Sequence, residues 1–151
     1  MNKKNNALIK KINIAICDKK FDLAKQWLLQ LQQDADGLAD IGYISAYVYL
    51  QIGDEKMAIH EAKQALLNKS TFDAELYMII GFAKRRLAKY CEAIEALEEA
   101  NAIVLAENNE VSSNEFIGRN LLSLGQMYLY LGDINQAKAA YLSASKIHPN
   151  L

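Results

Sequence analysis

Apolar residues recur along this chain every three or four positions, separated by polar residues. Leu121, Leu124 and Tyr128 fall on one helical face, and Ala137, Tyr141 and Ala144 fall on another. Similar stripes run back toward the N-terminus. Two Gly-Asp pairs, Gly53-Asp54 and Gly132-Asp133, punctuate them, joining a residue suited to ending a helix to one suited to capping the next. Asp133 followed by Gln136 resembles a capping box. Proline occurs once, at Pro149, so nothing upstream must break a helix. The pattern predicts about eight helices in antiparallel pairs.

The helices repeat as well as alternate. Residues 118–149 carry Leu121, Leu124-Gly125, Tyr128, Ala137, Tyr141, Ala144 and Pro149. A third copy upstream has Tyr77, Ile80-Gly81, Tyr90, Ala93, Leu97 and Ala100, with Lys84 at the position of Tyr128. A second has Tyr49, Ile52-Gly53-Asp54, Ala58, Ala62 and Ala65, with Ser45-Ala46 replacing Leu-Gly. The first, and most degenerate, has Leu8, Ala15, Phe21, Ala24, Leu28 and Leu31. Starts near residues 5, 39, 74 and 118 give intervals of 34, 35 and 44. This spacing resembles the tetratricopeptide repeat (TPR), a pair of helices in about 34 residues. The resemblance implies an all-α, right-handed α-solenoid in one domain of residues 1–151, with repeats at 5–38, 39–72, 74–107 and 118–151.

The signature residues have structural reasons. Gly81 and Gly125 are expected where paired helices cross most closely, and Ala24, Ala58, Ala93 and Ala137 play the same small-residue part on the second helices. The long third interval is expected to hold lengthened helices and a short loop within 108–117. There Asn108-Asn109 breaks the pattern and Ser112-x-x-Glu115 offers a fresh capping box. Lys138 and Ser145 stand where earlier repeats have Ile59, Leu66 or Ile94, so the fourth repeat reads as a polar terminal cap. Leu142 and Leu151 run against that reading.

Composition narrows the class. Hydrophobic residues at 52% support a folded chain rather than a disordered one. A net charge of −1 gives no general attraction for nucleic acid, and RNA binding is not expected. The charge is polarised, however. Residues 1–25 hold seven lysines against Asp18 and Asp22, a local +5, whereas residues 90–118 hold seven glutamates and no Lys or Arg. Cys17 and Cys91 show no metal or redox spacing, and a reduced, cytoplasmic setting is expected. Lys10 and Lys11 interrupt the apolar run near the start, which fits poorly with a secretion signal, and no segment suits a bilayer.

His60 and His148 are isolated, and no nucleophile-base set, phosphate loop or metal-ligand spacing appears. The chain is therefore expected not to be an enzyme and to need no cofactor. Trp27 is expected to pack the first repeat.

The resemblance instead implies a groove lined by the first helix of each pair. The residues expected there are Ile9, Asn13, Tyr43, Tyr47, Leu50, Met78, Phe82, Arg85, Arg119, Leu122 and Gln126. Its middle is aromatic and aliphatic, suited to anchoring a peptide or helix of a partner protein. Some TPR domains clamp acidic chaperone C-termini with polar residues. Asn13 and Arg119 are present, but Ile9, Ile44, Ile79 and Ser123 fill the other places, so that activity is not expected. Lys84-Arg85-Arg86 offers a basic run that could grip an anion or stay solvated. A free-standing chain with an apolar groove is also similar to the TPR chaperones of bacterial type III secretion. The expected role is thus an adaptor or chaperone-like binder, monomeric or weakly self-associating; the alternative is an assembly subunit acting through its ends or convex face.

Overall fold

The computed structural model describes residues 3–34, 40–68, 71–107 and 110–149. Eight helices and no strands occur among the described residues: α1 (Lys3–Cys17), α2 (Phe21–Asp34), α3 (Ile41–Ile52), α4 (Glu55–Leu67), α5 (Asp73–Arg86), α6 (Tyr90–Ala106), α7 (Glu110–Tyr130) and α8 (Ile134–Ile147). They form two compact units, Met1–Phe72 and Asp73–Leu151, each built from two helical hairpins. The boundary falls between the expected second and third repeats. This is the all-α helical-repeat architecture that the periodicity predicts.

All four hairpins turn in the same way. Lys19, Gly53, Ala88 and Gly132 occupy one repeat position, and each has positive φ: 58°, 86°, 59° and 80°. At each turn, that residue's N–H donates to the carbonyl three residues back. The next N–H donates to the carbonyl five back, as in Lys89 to Lys84 and Asp133 to Tyr128, both within 2.9 Å. This double bond pattern is a Schellman ending, and it satisfies carbonyls that the finished helix would leave unpaired. The second and fourth hairpins then cap the next helix. Asp54 accepts from the Met57 N–H and Asp133 from the Gln136 N–H. Lys89, at the corresponding place before α6, makes no side-chain cap.

Close helix crossing needs small residues, and they sit where the spacing puts them. A Cβ added at Gly81 would lie 2.6 Å from Leu97 Cδ2, and one at Gly125 would lie 2.8 Å from the Tyr141 ring. Ala24, Ala58 and Ala93 are wholly buried, and Ala137 nearly so. The second hairpin has an additional close crossing one turn earlier, where a Cβ on Gly42 would meet the Ala65 Cβ at 2.7 Å.

Each unit has its own apolar core. Leu8, Ile12, Leu28, Leu31 and Val48 pack the first, with Trp27 half-buried against them. Ile94, Leu97, Leu124 and Met127 pack the second, and a smaller cluster forms around Ala74, Val104 and Ile117.

The long interval is helical. α6 runs 17 residues and α7 runs 21, longer than the other helices. The loop is expected at 108–112 with a new cap at Ser112, but residues 110–112 already lie in α7. Ser112 and Glu115 are therefore inside the helix, and Glu115 bonds Arg119 one turn on. Helix propagation into this stretch needs no cap at Ser112, because its C-terminal part is buried at Ile117. Asn108 and Asn109 lie outside the described residues. The extensions are registered by a buried bond in which Asn120 Nδ2 donates to Asn101 Oδ1 at 2.9 Å. Lys138 and Ser145 are exposed, as a terminal face requires, but Leu142 is 62% exposed beside them. Leu151 lies outside the described residues.

Candidate functional site

The first helices of the hairpins present two apolar pockets, one in each unit. In the first unit, α1 and α3 diverge around a cavity of about 430 Å³. Ile9, Asn13, Tyr43 and Tyr47 line it, all expected from their register, together with Ile16 and Cys17. Tyr47 is 39% exposed, and its ring lies 6.4 Å from that of Tyr43. Tyr43 in turn stacks on Phe72 at 4.6 Å, so the pair is held from behind. Aromatic rings fixed in this way bury much area on contact while losing few rotors.

In the second unit, Met78 and Phe82 of α5 face Phe116 and Arg119 of α7 across a cavity of about 300 Å³. Arg119 is ion-paired to Glu115 at 2.7 Å and forms a polar edge to an apolar floor. Arg85 does not line this cavity. Its guanidinium lies 5.4 Å from the Phe82 ring centroid and donates to Ser123 Oγ at 2.9 Å, bracing Phe82 from the side.

Three other expected residues are placed differently. Leu50 is buried at 4% exposure and lines neither first-helix pocket. Leu122 lies against Tyr141 and His148 of the last hairpin, and Gln126 is exposed with its amide donating to Tyr130 Oη. Neither joins Met78 and Phe82. Phe116 and Glu115 are the contributors that the repeat register missed. They precede the fourth repeat's start, although Phe116 stands three residues before Arg119, on its helical face.

The basic run is occupied internally. Lys84 pairs with Glu92 at 2.8 Å and Arg85 is engaged as above, so these two do not form an open anion grip. Lys84 and Tyr128 share a repeat position and serve one purpose, since each reaches a glutamate on α6. The Tyr128 hydroxyl donates to Glu98 Oε1 at 2.9 Å. Burial, then that hydrogen bond, then the charges of Glu98 and Asp133 push the Tyr128 phenol up to about 12. Among the described residues, no group of three or more His, Cys, Asp or Glu side chains could hold a metal ion.

The tetratricopeptide repeat family model matches residues 118–151. Among solved structures, the chain superposes on MamA with a TM-score of 0.70 at 23% identity, covering 91% of this chain and 74% of that one. It superposes on Pseudomonas aeruginosa PilF with a TM-score of 0.75 at 21% identity, covering 97% of this chain and 62% of that one. Residues 118–151 are a tetratricopeptide repeat, and the chain as a whole shares the all-α helical-repeat fold of these structures. One repeat matches the family by sequence, and the identical hairpin turns carry the pattern through the other three. A second MamA structure, from AMB-1, agrees at a TM-score of 0.68 and 14% identity. These structural likenesses establish the fold. No curated protein sequence matches the chain. TPR folds are typically non-catalytic scaffolds for protein-protein interaction, with binding surfaces built by successive repeats. No described helix is long and apolar enough to cross a membrane.

Proposed function

We propose that this protein is a non-catalytic binding module that holds a peptide or helix of a partner protein on its first-helix surfaces. The observation that carries this reading is the pair of apolar, part-exposed aromatic pockets at Tyr43–Tyr47 and Met78–Phe82–Phe116. Tyr43 stacks on Phe72 and Phe82 is flanked by Arg85, and these rings remain part-exposed. Asn13 and Gln51 at the first pocket and Arg119 at the second supply polar edges that orient a backbone or side chain. The adaptor or chaperone-like role, the cytoplasmic setting and the monomeric or weakly associating state belong to the same proposal. Both cysteines are free and exposed, as a reducing setting would keep them.

The test is quantitative affinity capture from source cells with the wild type and a Tyr47→Ala/Phe82→Ala double variant. The variant is expected to lose partner capture while retaining its helical circular dichroism. Equal capture by both proteins would exclude these pockets.

A second reading, assembly through the ends or the outer face, draws support from the last hairpin. Leu131, Ile134 and Leu142 there are 47%, 59% and 62% exposed. Sedimentation discriminates: a mass independent of concentration contradicts self-assembly, whereas a concentration-dependent dimer supports it.

A further inference from the structure

Two sequence features enter the first-helix pockets only through Glu115 and Phe116: the lengthening of α6 and α7, and the glutamate-rich run over residues 90–118. The structure brings them together. α6 and α8 stand apart over α7 and leave a groove of about 450 Å³. Ile117, Leu121 and Leu124 form its apolar floor, and Leu105, 62% exposed on the extension of α6, forms one lip. It shares no lining residue with the pocket at Met78 and Phe82.

The α6 lip is acidic. Glu98 lines the groove and is tethered at its edge by the Tyr128 hydroxyl. Glu95 lies one turn earlier on the same helical face, and both are exposed. Lys138 and Lys146 of α8 do not line the groove; that side is formed by Gln136, Ala139, Ala140, Ser143 and Ile147. The α8 side therefore extends about 16 Å at 1.5 Å per residue, the length of about three helical turns. An apolar trough of this length with one anionic edge is complementary to a helix that is apolar on one face and cationic along one side.

We propose that the groove between α6 and α8 docks a basic amphipathic helix of a partner protein, with Glu98 and Glu95 meeting its Lys or Arg side chains. This second site stands independently of the first-helix pockets.

Fluorescence anisotropy on the full chain tests it. The probe is a synthetic amphipathic helix with leucine on one face and lysine along one edge. Its control is a twin with glutamate in place of lysine. The lysine peptide should bind at least about tenfold more tightly than its twin, and added salt should weaken it. Ala139→Arg, a change at an exposed helical position, should weaken binding by about tenfold or more. Glu95→Gln/Glu98→Gln should remove most of the preference for lysine, and Tyr47→Ala/Phe82→Ala should change nothing. Absence of binding, equal binding of the twins, or binding indifferent to Ala139→Arg would each overturn the proposal. So would a dimer in sedimentation that Ala139→Arg dissolves, because that would assign the groove to a second copy of the chain.

Discussion

At the scale of single residues, the tightest constraint in the first unit is Gly42. A methyl group there meets the Ala65 Cβ at 2.7 Å and the Ala65 Cα at 3.4 Å, and neither can swing aside without moving α4. Helix propensity favours alanine over glycine by about 1 kcal/mol, but overpacking against a neighbouring backbone costs about 1–3 kcal/mol. Gly42→Ala is therefore expected to destabilise by up to about 2 kcal/mol in urea unfolding, the difference between those effects. Gly81→Ala should destabilise as well, since its Cβ would meet the buried Leu97 at Cδ2 and Cγ, 2.6 and 2.7 Å away.

Tyr128 gives a second residue-scale prediction. The fold favours its neutral phenol, so the associated stabilisation is complete below the ordinary value of 10.0 and disappears as pH rises through about 12. A tyrosinate absorbance titration should show a component near pH 12 that vanishes in Tyr128→Phe. The variant's stability should also fall less steeply than that of the wild type across that range. Identical titrations would contradict the Glu98 bond.

At the scale of elements, the hairpin turns show how a repeat survives the loss of its own signature. Gly53-Asp54 and Gly132-Asp133 announce their turns in the sequence. Lys19-Lys20 and Ala88-Lys89 adopt the same left-handed conformation and the same paired bonds without a glycine or a side-chain cap. Core packing of the flanking helices imposes the turn, and local chemistry only lowers its cost. Restoring that chemistry with Ala88→Gly/Lys89→Asp should raise stability by about 1–2 kcal/mol, combining relief at positive φ with a new helix cap. Thermal or urea unfolding checks this, and no gain would mean that the turn is not strained.

The same contrast explains what was legible in the chain. The fourth repeat could be read because its glycine, cap and small residues are all present. The start of α7 could not. Residues 110–117 contain Ser112, Ser113 and Asn114, which favour starting a helix there, and burial at Ile117 with the Asn101–Asn120 bond outweighs them. Phe116 was hidden with them, since it falls before the repeat register starts. Register placed Ile9, Asn13, Tyr43 and Tyr47 in one pocket, yet it could not foresee Leu50 turning inward. A helical face is wider than its core stripe, and only packing decides which edge residue is covered. Arg85 belongs to the same category. Its position on the face was legible, but its engagement with Phe82 and Ser123 depends on where α7 lies.

At the scale of the whole molecule, signature and function separate. Glycines, alanines and capping aspartates make the hairpins, whereas the residues that line the first-helix pockets are ones that the family pattern does not specify. Both pockets draw on first helices, and both place aromatic rings over a supported apolar floor. The charge is polarised along the chain, with a lysine-rich start in the first unit and a glutamate-rich α6 in the second.

The chain carries its own reporters for this account. Cys17 lines the first pocket and is exposed, while Cys91 on α6 is exposed but lines neither first-helix pocket. The most direct measurement is the rate of maleimide labelling at each thiol, with and without the captured partner. If the partner occupies the first-helix surface, labelling of Cys17 should slow by about tenfold, while Cys91 reacts at its free rate. Undiminished labelling of Cys17 in the saturated complex would contradict the central claim.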